Sequence, residues 1–246
     1  MRLSLGLLLL LAAAAAVADD AIEYGGHTKF RLVGQRFSDD SLFSDLAGST
    51  ALDAIGELRL NLSGRQGGWS FHADYQLIGL HSEFLQFGLP TDDQRLMDLT
   101  KTLHNSNEDA AIHRLDRLWF GYTGDKTVLR FGRQALSWGN GLFFAPMDLV
   151  NPFDPTTIDT EYKTGDDMLY TQYLRDNGDD LQGAVVFRRD PLTGDADTDA
   201  GTIALKYHGF AGESEYDLLV AEDRDHTVVG AGGARSLGGA VVRGDL

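Results

Sequence analysis

The sequence predicts an all-β chain: an antiparallel transmembrane β-barrel, present as an incomplete fragment of about eleven strands. Three observations carry this expectation. Apolar and polar residues alternate in stretch after stretch, the links between stretches alternate short and long, and the chain opens with an export signal.

The signal comes first. Met1 and Arg2 give a positive start, residues 3–11 are apolar, and Ala16-Val17-Ala18 is the small-x-small pattern that signal peptidases cut. Residues 1–18 are therefore expected to be a signal peptide and 19–246 the N-terminal part of a barrel. The apolar run, about 16 residues, falls short of the roughly 20 that a spanning helix needs. No later run approaches that length, so a membrane crossing would have to use strands.

The strands follow in order. His27 to Phe37 forms a weak first strand, and in the second Leu58, Leu60 and Leu62 alternate with Glu57, Arg59, Asn61 and Ser63. After a turn at 64–68, Trp69, Phe71, Ala73, Tyr75 and Leu77 oppose Ser70, His72, Asp74 and Gln76. Leu118, Phe120 and Tyr122 precede the turn Gly124-Asp125-Lys126, and Leu129 and Phe131 alternate with Arg130, Gly132 and Gln134 after it. Residues 168–174 and 181–188 flank the next turn, then Ile203, Leu205 and Tyr207 oppose Ala204 and Lys206. Tyr216, Leu218 and Val220 oppose Asp217, and residues 227–234 and 239–243 are weaker strands.

Short turns near 64–68, 124–126, 175–180, 211–214 and 235–238 alternate with links at 38–53, 82–111, 138–166 and 189–200; only 222–226 breaks the rhythm. Outer-membrane barrels have short turns at one end and long loops at the other, whereas a soluble sandwich has no reason to alternate. Trp69, Tyr122, Trp138, Tyr170, Tyr207 and Tyr216 lie near strand ends, where an aromatic girdle or ordinary core packing would place them. The odd strand count and a final strand without a terminal aromatic residue imply that closing strands are missing.

Composition narrows the function classes. Net charge is -16, which argues against nucleic acid as a partner. There is no cysteine, so no disulfide supports the fold. Mean hydropathy is -0.20, compatible with a barrel because only alternate side chains meet lipid.

Gly132-Arg133-Gln134, then Ser137-Trp138-Gly139, then Asn151-Pro152 resemble proteobacterial outer-membrane β-barrel proteins of a largely uncharacterised, porin-like family. The resemblance implies a channel or transport component in the outer membrane of a Gram-negative cell, with no catalytic residues to carry over. Expected partners are outer-membrane lipid, small solutes and the barrel assembly machinery. A homo-oligomer is left open, and no cofactor or metal is expected.

The polar strand faces supply the expected pore-lining set: Arg59, His72, Asp74, Gln76, Asp116, Arg130, Gln134, Arg188 and Lys206. Charges of both signs on one face could equally satisfy one another in a plugged structural or assembly barrel. His72 and Asp74, two apart, invite a third reading as a barrel hydrolase, but no activated nucleophile surrounds them. The link at 138–164 is rich in apolar residues and proline, and is expected to fold inward as a constriction that presents Asp148, Asn151, Pro152, Phe153, Asp154 and Asp159.

Three features stand apart. Arg133 shares parity with Leu129 and Phe131, which aims it outward unless a bulge turns it in. Asp195-Ala196-Asp197-Thr198-Asp199 resembles the start of a calcium loop, yet its glycine falls one place late and Lys206 stands where a bidentate Glu belongs, which favours a solvated acidic loop. Arg243-Gly244-Asp245 matches an adhesion tripeptide, a chance-level match given no function here.

Overall fold

The computed structural model describes residues 22–42, 44, 48–85, 89–141, 144–153 and 160–246. The expected signal peptide, Asp154 and Asp159 lie outside the described residues. Successive side chains on an extended backbone point to opposite faces, so each alternating stretch becomes a strand with two unlike sides. Among the described residues there are twelve: β1 (Ile22–Arg36), β2 (Thr50–Gln66), β3 (Trp69–His81), β4 (Thr100–Asn105), β5 (Asp109–Thr123), β6 (Thr127–Gln134), β7 (Asp166–Leu174), β8 (Asp180–Arg189), β9 (Ala196–Ala211), β10 (Ser214–Asp223), β11 (His226–Leu237) and β12 (Ala240–Asp245).

They form one antiparallel sheet in the order β1-β2-β3-β5-β6-β7-β8-β9-β10-β11-β12, with β4 paired to β5 off that path. The all-β antiparallel expectation holds. The sheet is open: β1 and β12 are its edges, and no ladder joins them among the described residues.

The count of about eleven needs correction by one strand. β4 lies inside the expected link at 82–111 and is almost wholly exposed. Thr100-Lys101-Thr102-Leu103-His104-Asn105 offers one apolar side chain and therefore no apolar face to announce a strand. It forms because the start of β5, residues 110–114, pairs with β3 on one side and leaves its other edge for β4. β1 also begins earlier than expected, at Ile22.

Turns at 67–68, 124–126, 175–179, 212–213 and 238–239 gather at one end of the sheet, and the links 37–49, 82–99, 135–165 and 190–195 at the other. The β4–β5 turn at 106–108 and the β10–β11 turn are the tight exceptions at the long end. Arg224 and Asp225 both have positive φ, 48 and 63, the backbone of a type I′ hairpin turn.

The two faces are inverted relative to a sheet in water. One face is covered and holds the buried polar residues Arg59, Asp74, Gln76, Asp116, Arg188 and Lys206, with an apolar patch on β7–β10. The other is apolar and bare: Tyr24 is 89% exposed, Phe30 69% and Val229 77%. Soluble monomers seldom expose contiguous apolar patches beyond a few hundred Å², yet here such residues recur on nearly every strand from β1 to β12. Among the described residues no helix is long and apolar enough to cross a membrane.

What covers the polar face is chiefly the link between β6 and β7. Its Trp138, Met147 and Val150 pack with Met168, Tyr170, Ala184, Val186, Ala204, Leu219 and Ala221 on the inner side of β7–β10. Small side chains on the strands make room for large ones on the link. The space above Gly230 and Gly232 of β11 is taken by Met147, whose Cγ and Sδ would lie 3.0 Å from an added Cβ.

A bulge adjusts the centre of the sheet. Opposite β3 the register passes from Asp74↔Arg117 to Tyr75↔Leu115, leaving Asp116 as the extra residue. Asp116 and Arg117 are therefore both buried although adjacent in sequence. No bulge turns Arg133 inward, since both β6 ladders keep register through Leu118↔Arg133 and Arg133↔Asp167. Arg133 is buried by cover instead: the 91–99 segment lies over it. Gly132 beside it has φ +123, and an added Cβ would stand 2.2 Å from the Leu118 carbonyl oxygen.

Candidate functional site

Register brings the first cluster together. Arg59↔Gln76, Asn61↔Asp74 and Ser63↔His72 face one another across β2 and β3, with inner-face parity on both strands. The Arg59 guanidinium donates to Asp116 at 3.0 Å and Glu57 at 3.1 Å, and lies 3.8 Å from Asp74. Asp74 also accepts from Asn61 at 2.6 Å and pairs with His72 at 2.8 Å. Arg114 donates to Gln76 at 2.5 Å, and Arg117 to Asp116 at 2.9 Å. The His72 ring stacks on Trp119, leaving its second partner an aromatic face and no nucleophile.

A second cluster joins β7 to β9. Arg188 binds Asp166 through Nε and Nη2 at 3.2 and 3.1 Å and reaches Thr202 at 3.1 Å, while Asp223 lies 3.5 Å away. A third spans β9 and β10. Lys206 and His208 meet Asp217 at 3.0 and 2.9 Å, and the Lys206 ammonium also donates to the Trp138 carbonyl at 3.3 Å. Among the described residues Arg130 makes no carboxylate contact, and it stacks over the Trp119 ring at 4.9 Å. Gln134 turns its amide back on backbone carbonyls at 3.4–3.5 Å.

The described parts of the link 135–165 meet both sheet edges, residues 135–153 towards β12 and residues 160–165 towards β1. Near β12, the Asn140 amide donates to both oxygens of Asp245 at 3.0 and 2.8 Å, and its side chain donates to Asp217 at 2.6 Å. Trp138 Nε1 donates to Gln182 at 2.6 Å. Near β1, Glu161 lies 2.6 Å from Lys29, and Tyr162 stacks on His27 with ring centroids 5.2 Å apart. Lys163 donates to Asp148 at 2.5 Å and to the Leu136 carbonyl. Burial pushes the Lys163 ammonium below its usual range, and Asp148 restores only part of the shift. Arg117 donates to the Lys163 carbonyl, tying the link to β5.

No known protein family, curated protein or solved structure matches the chain. The site therefore stands on its own geometry.

Of the expected set, Arg59, His72, Asp74, Gln76 and Asp116 form one connected group, while Arg188 and Lys206 anchor two others. Asp148 and Asn151 lie in the in-folded link, where Asn151 adopts a φ of 45 and donates to the Gly165 carbonyl at 3.3 Å. Pro152 is exposed and Phe153 half-buried beside them. Sequence reading missed Arg114 and Arg117, because the bulge at Asp116 resets parity only once β3 is known.

It also missed the 91–99 segment. Asp92 accepts from Arg133 at 2.9 Å, from Arg95 at 2.6 Å and from the Leu99 amide at 2.8 Å. Burial alone would raise its pKa, but these bonds outweigh that and hold it down to about 2. Among the described residues no group of acids and histidines is arranged to hold a metal ion.

Proposed function

We propose that the chain is a porin-like component of a Gram-negative outer membrane, whose strands line a barrel that passes small polar solutes. The inverted sheet carries this reading. A bare apolar face on nearly every strand suits hydrocarbon, and a covered face of mixed charge suits a watery interior. Lipid contacts the outer face, and closure joins strand edges, because unpaired backbone groups in hydrocarbon cost several kcal/mol each.

The link 135–165 acts as the constriction. It fills the β7–β11 side most tightly, where Met147 and Val150 are buried. On the β1 side the inner residues His27 and Lys29 each keep about 30% of their side-chain surface, a looser cover than on the β7–β11 side. Deleting residues 142–157 is expected to raise single-channel conductance in planar bilayers. Unchanged conductance and selectivity in a folded deletion variant would remove the link from the pore.

A plugged barrel is the second reading, favoured by one observation: the inner charges are largely paired with one another, as in Arg59–Asp116, Arg188–Asp166 and Lys206–Asp217. Absence of any conductance from folded protein, before and after the deletion, would select it. The hydrolase reading loses ground, because His72 is held between Asp74 and Trp119.

A further inference from the structure

We propose that the cavity between β1, β2, the end of β3 and residues 82–85 and 89–90 is a binding site for a small zwitterion with an apolar side chain, of the aliphatic α-amino-acid class. Arg31 pairs with Ile55 and Val33 with Asp53 in the β1–β2 ladder, so Arg31 and Asp53 are diagonal neighbours on the covered face. Both line a cavity of about 260 Å³ whose walls are otherwise mainly apolar, among them Ile55, Leu80, Phe84 and Leu89.

The two charges stand in an unusual state. Arg59, Arg114, Arg117, Arg133 and Arg188 each donate to a side-chain carboxylate or amide. Arg31 makes no hydrogen bond or ion pair among the described residues, and its Nε is buried without a partner. Asp53 accepts from Gln35 at 2.7 Å through Oδ2, while its Oδ1 is buried and unpartnered. They form no ion pair with each other. Buried polar groups in this condition lose water and gain nothing in return, unless another molecule supplies the partner.

A carboxylate suits the planar fork of Arg31, and an ammonium suits Asp53. A simple fatty carboxylate satisfies the first but meets repulsion at the second, and a simple amine does the reverse. Only a molecule with both charges answers both side chains, and the apolar walls select its side chain. At roughly 30 Å³ per water-sized group in a liquid, the cavity takes a solute of about nine heavy atoms, the size of leucine.

The site goes beyond the channel reading and does not require conduction. The test is isothermal titration of the full chain in detergent micelles with L-leucine, 4-methylpentanoate and 3-methylbutylamine. Leucine is expected to bind saturably, and each half-ligand at least about tenfold more weakly, the loss expected when a buried charged group is left unpaired. Arg31→Gln and Asp53→Asn should each weaken leucine to a similar degree, with Arg31→Lys intermediate. No saturable binding of leucine to folded protein overturns the proposal, as does equal binding of 4-methylpentanoate. The half-ligand comparison needs no variant, so it decides even if Asp53→Asn fails to fold. A chain that binds leucine without conducting would sink the channel and keep the site; one that conducts without binding would do the opposite.

Discussion

The Arg59 guanidinium lies 4.2 Å from the centroid of the Tyr162 ring, on the far end of the in-folded link. His27 of β1 stacks on the same ring, so β1, β2 and the link meet in one place. A desolvated cation–π contact contributes about 1–2 kcal/mol. Tyr162→Ala should therefore lower the urea midpoint of detergent-solubilised protein and expose residues 160–164 to protease. Unaltered protease protection would show that the stack does not hold the link.

Asp92 predicts an acid dependence. Its folded pKa of about 2 lies below the roughly 3.9 of an unfolded aspartate. A carboxyl depressed in this way contributes stability that is fully present above about pH 4 and is lost as the pH falls towards 2, a contribution of roughly 2–3 kcal/mol. Asp92→Asn should make the pH 4 to 2 limb of the stability profile shallower. An identical limb in both proteins would place the acid sensitivity elsewhere.

Gly132→Ala should cost about 3 kcal/mol or more, because the new Cβ meets the Leu118 carbonyl in a backbone conformation that L residues rarely adopt. Gly25→Ala is the control, since nothing lies within 4 Å of a Cβ there. Heat-modifiable migration of both variants in detergent gels measures the difference. Equal yields of the folded band would contradict the close approach at Gly132.

At the β10–β11 turn, Asp225→Gly should stabilise. Arg224 and Asp225 both occupy positive φ, which glycine adopts without the steric cost of a Cβ, a gain of about 1 kcal/mol. The thermal unfolding midpoint should rise, and a fall would argue against the type I′ turn.

How far the sequence reveals this arrangement depends on the range of the interaction. The inner-face positions of Arg59, Asp74, Gln76, Arg188 and Lys206 follow from a period of two, which each strand encodes by itself. The His72–Asp74 pair is legible for the same reason. Arg133 is not: its parity points with Phe131, and its burial depends on Asp92, 41 residues away, and Asp167, 34 residues away. β4 is invisible because it is recruited by a free edge of β5 and not by an apolar stripe of its own. That the link buries Trp138, Met147 and Val150 against the sheet follows from its apolar content, but its attachments at Lys29 and Asp245 were not readable, since single charges carry no address.

The Asn140–Asp245 contact joins residues 105 apart in the chain, whereas neighbouring strands of the sheet are joined by links of 31 residues or fewer. Local pairing is fast and distant pairing slow, so the molecule should assemble in two kinetic stages. Hairpins zip first, each independent of the last strand. The link settles only when β12 has arrived to receive Asn140, and burial of Trp138 should report that slower event as a late fluorescence phase.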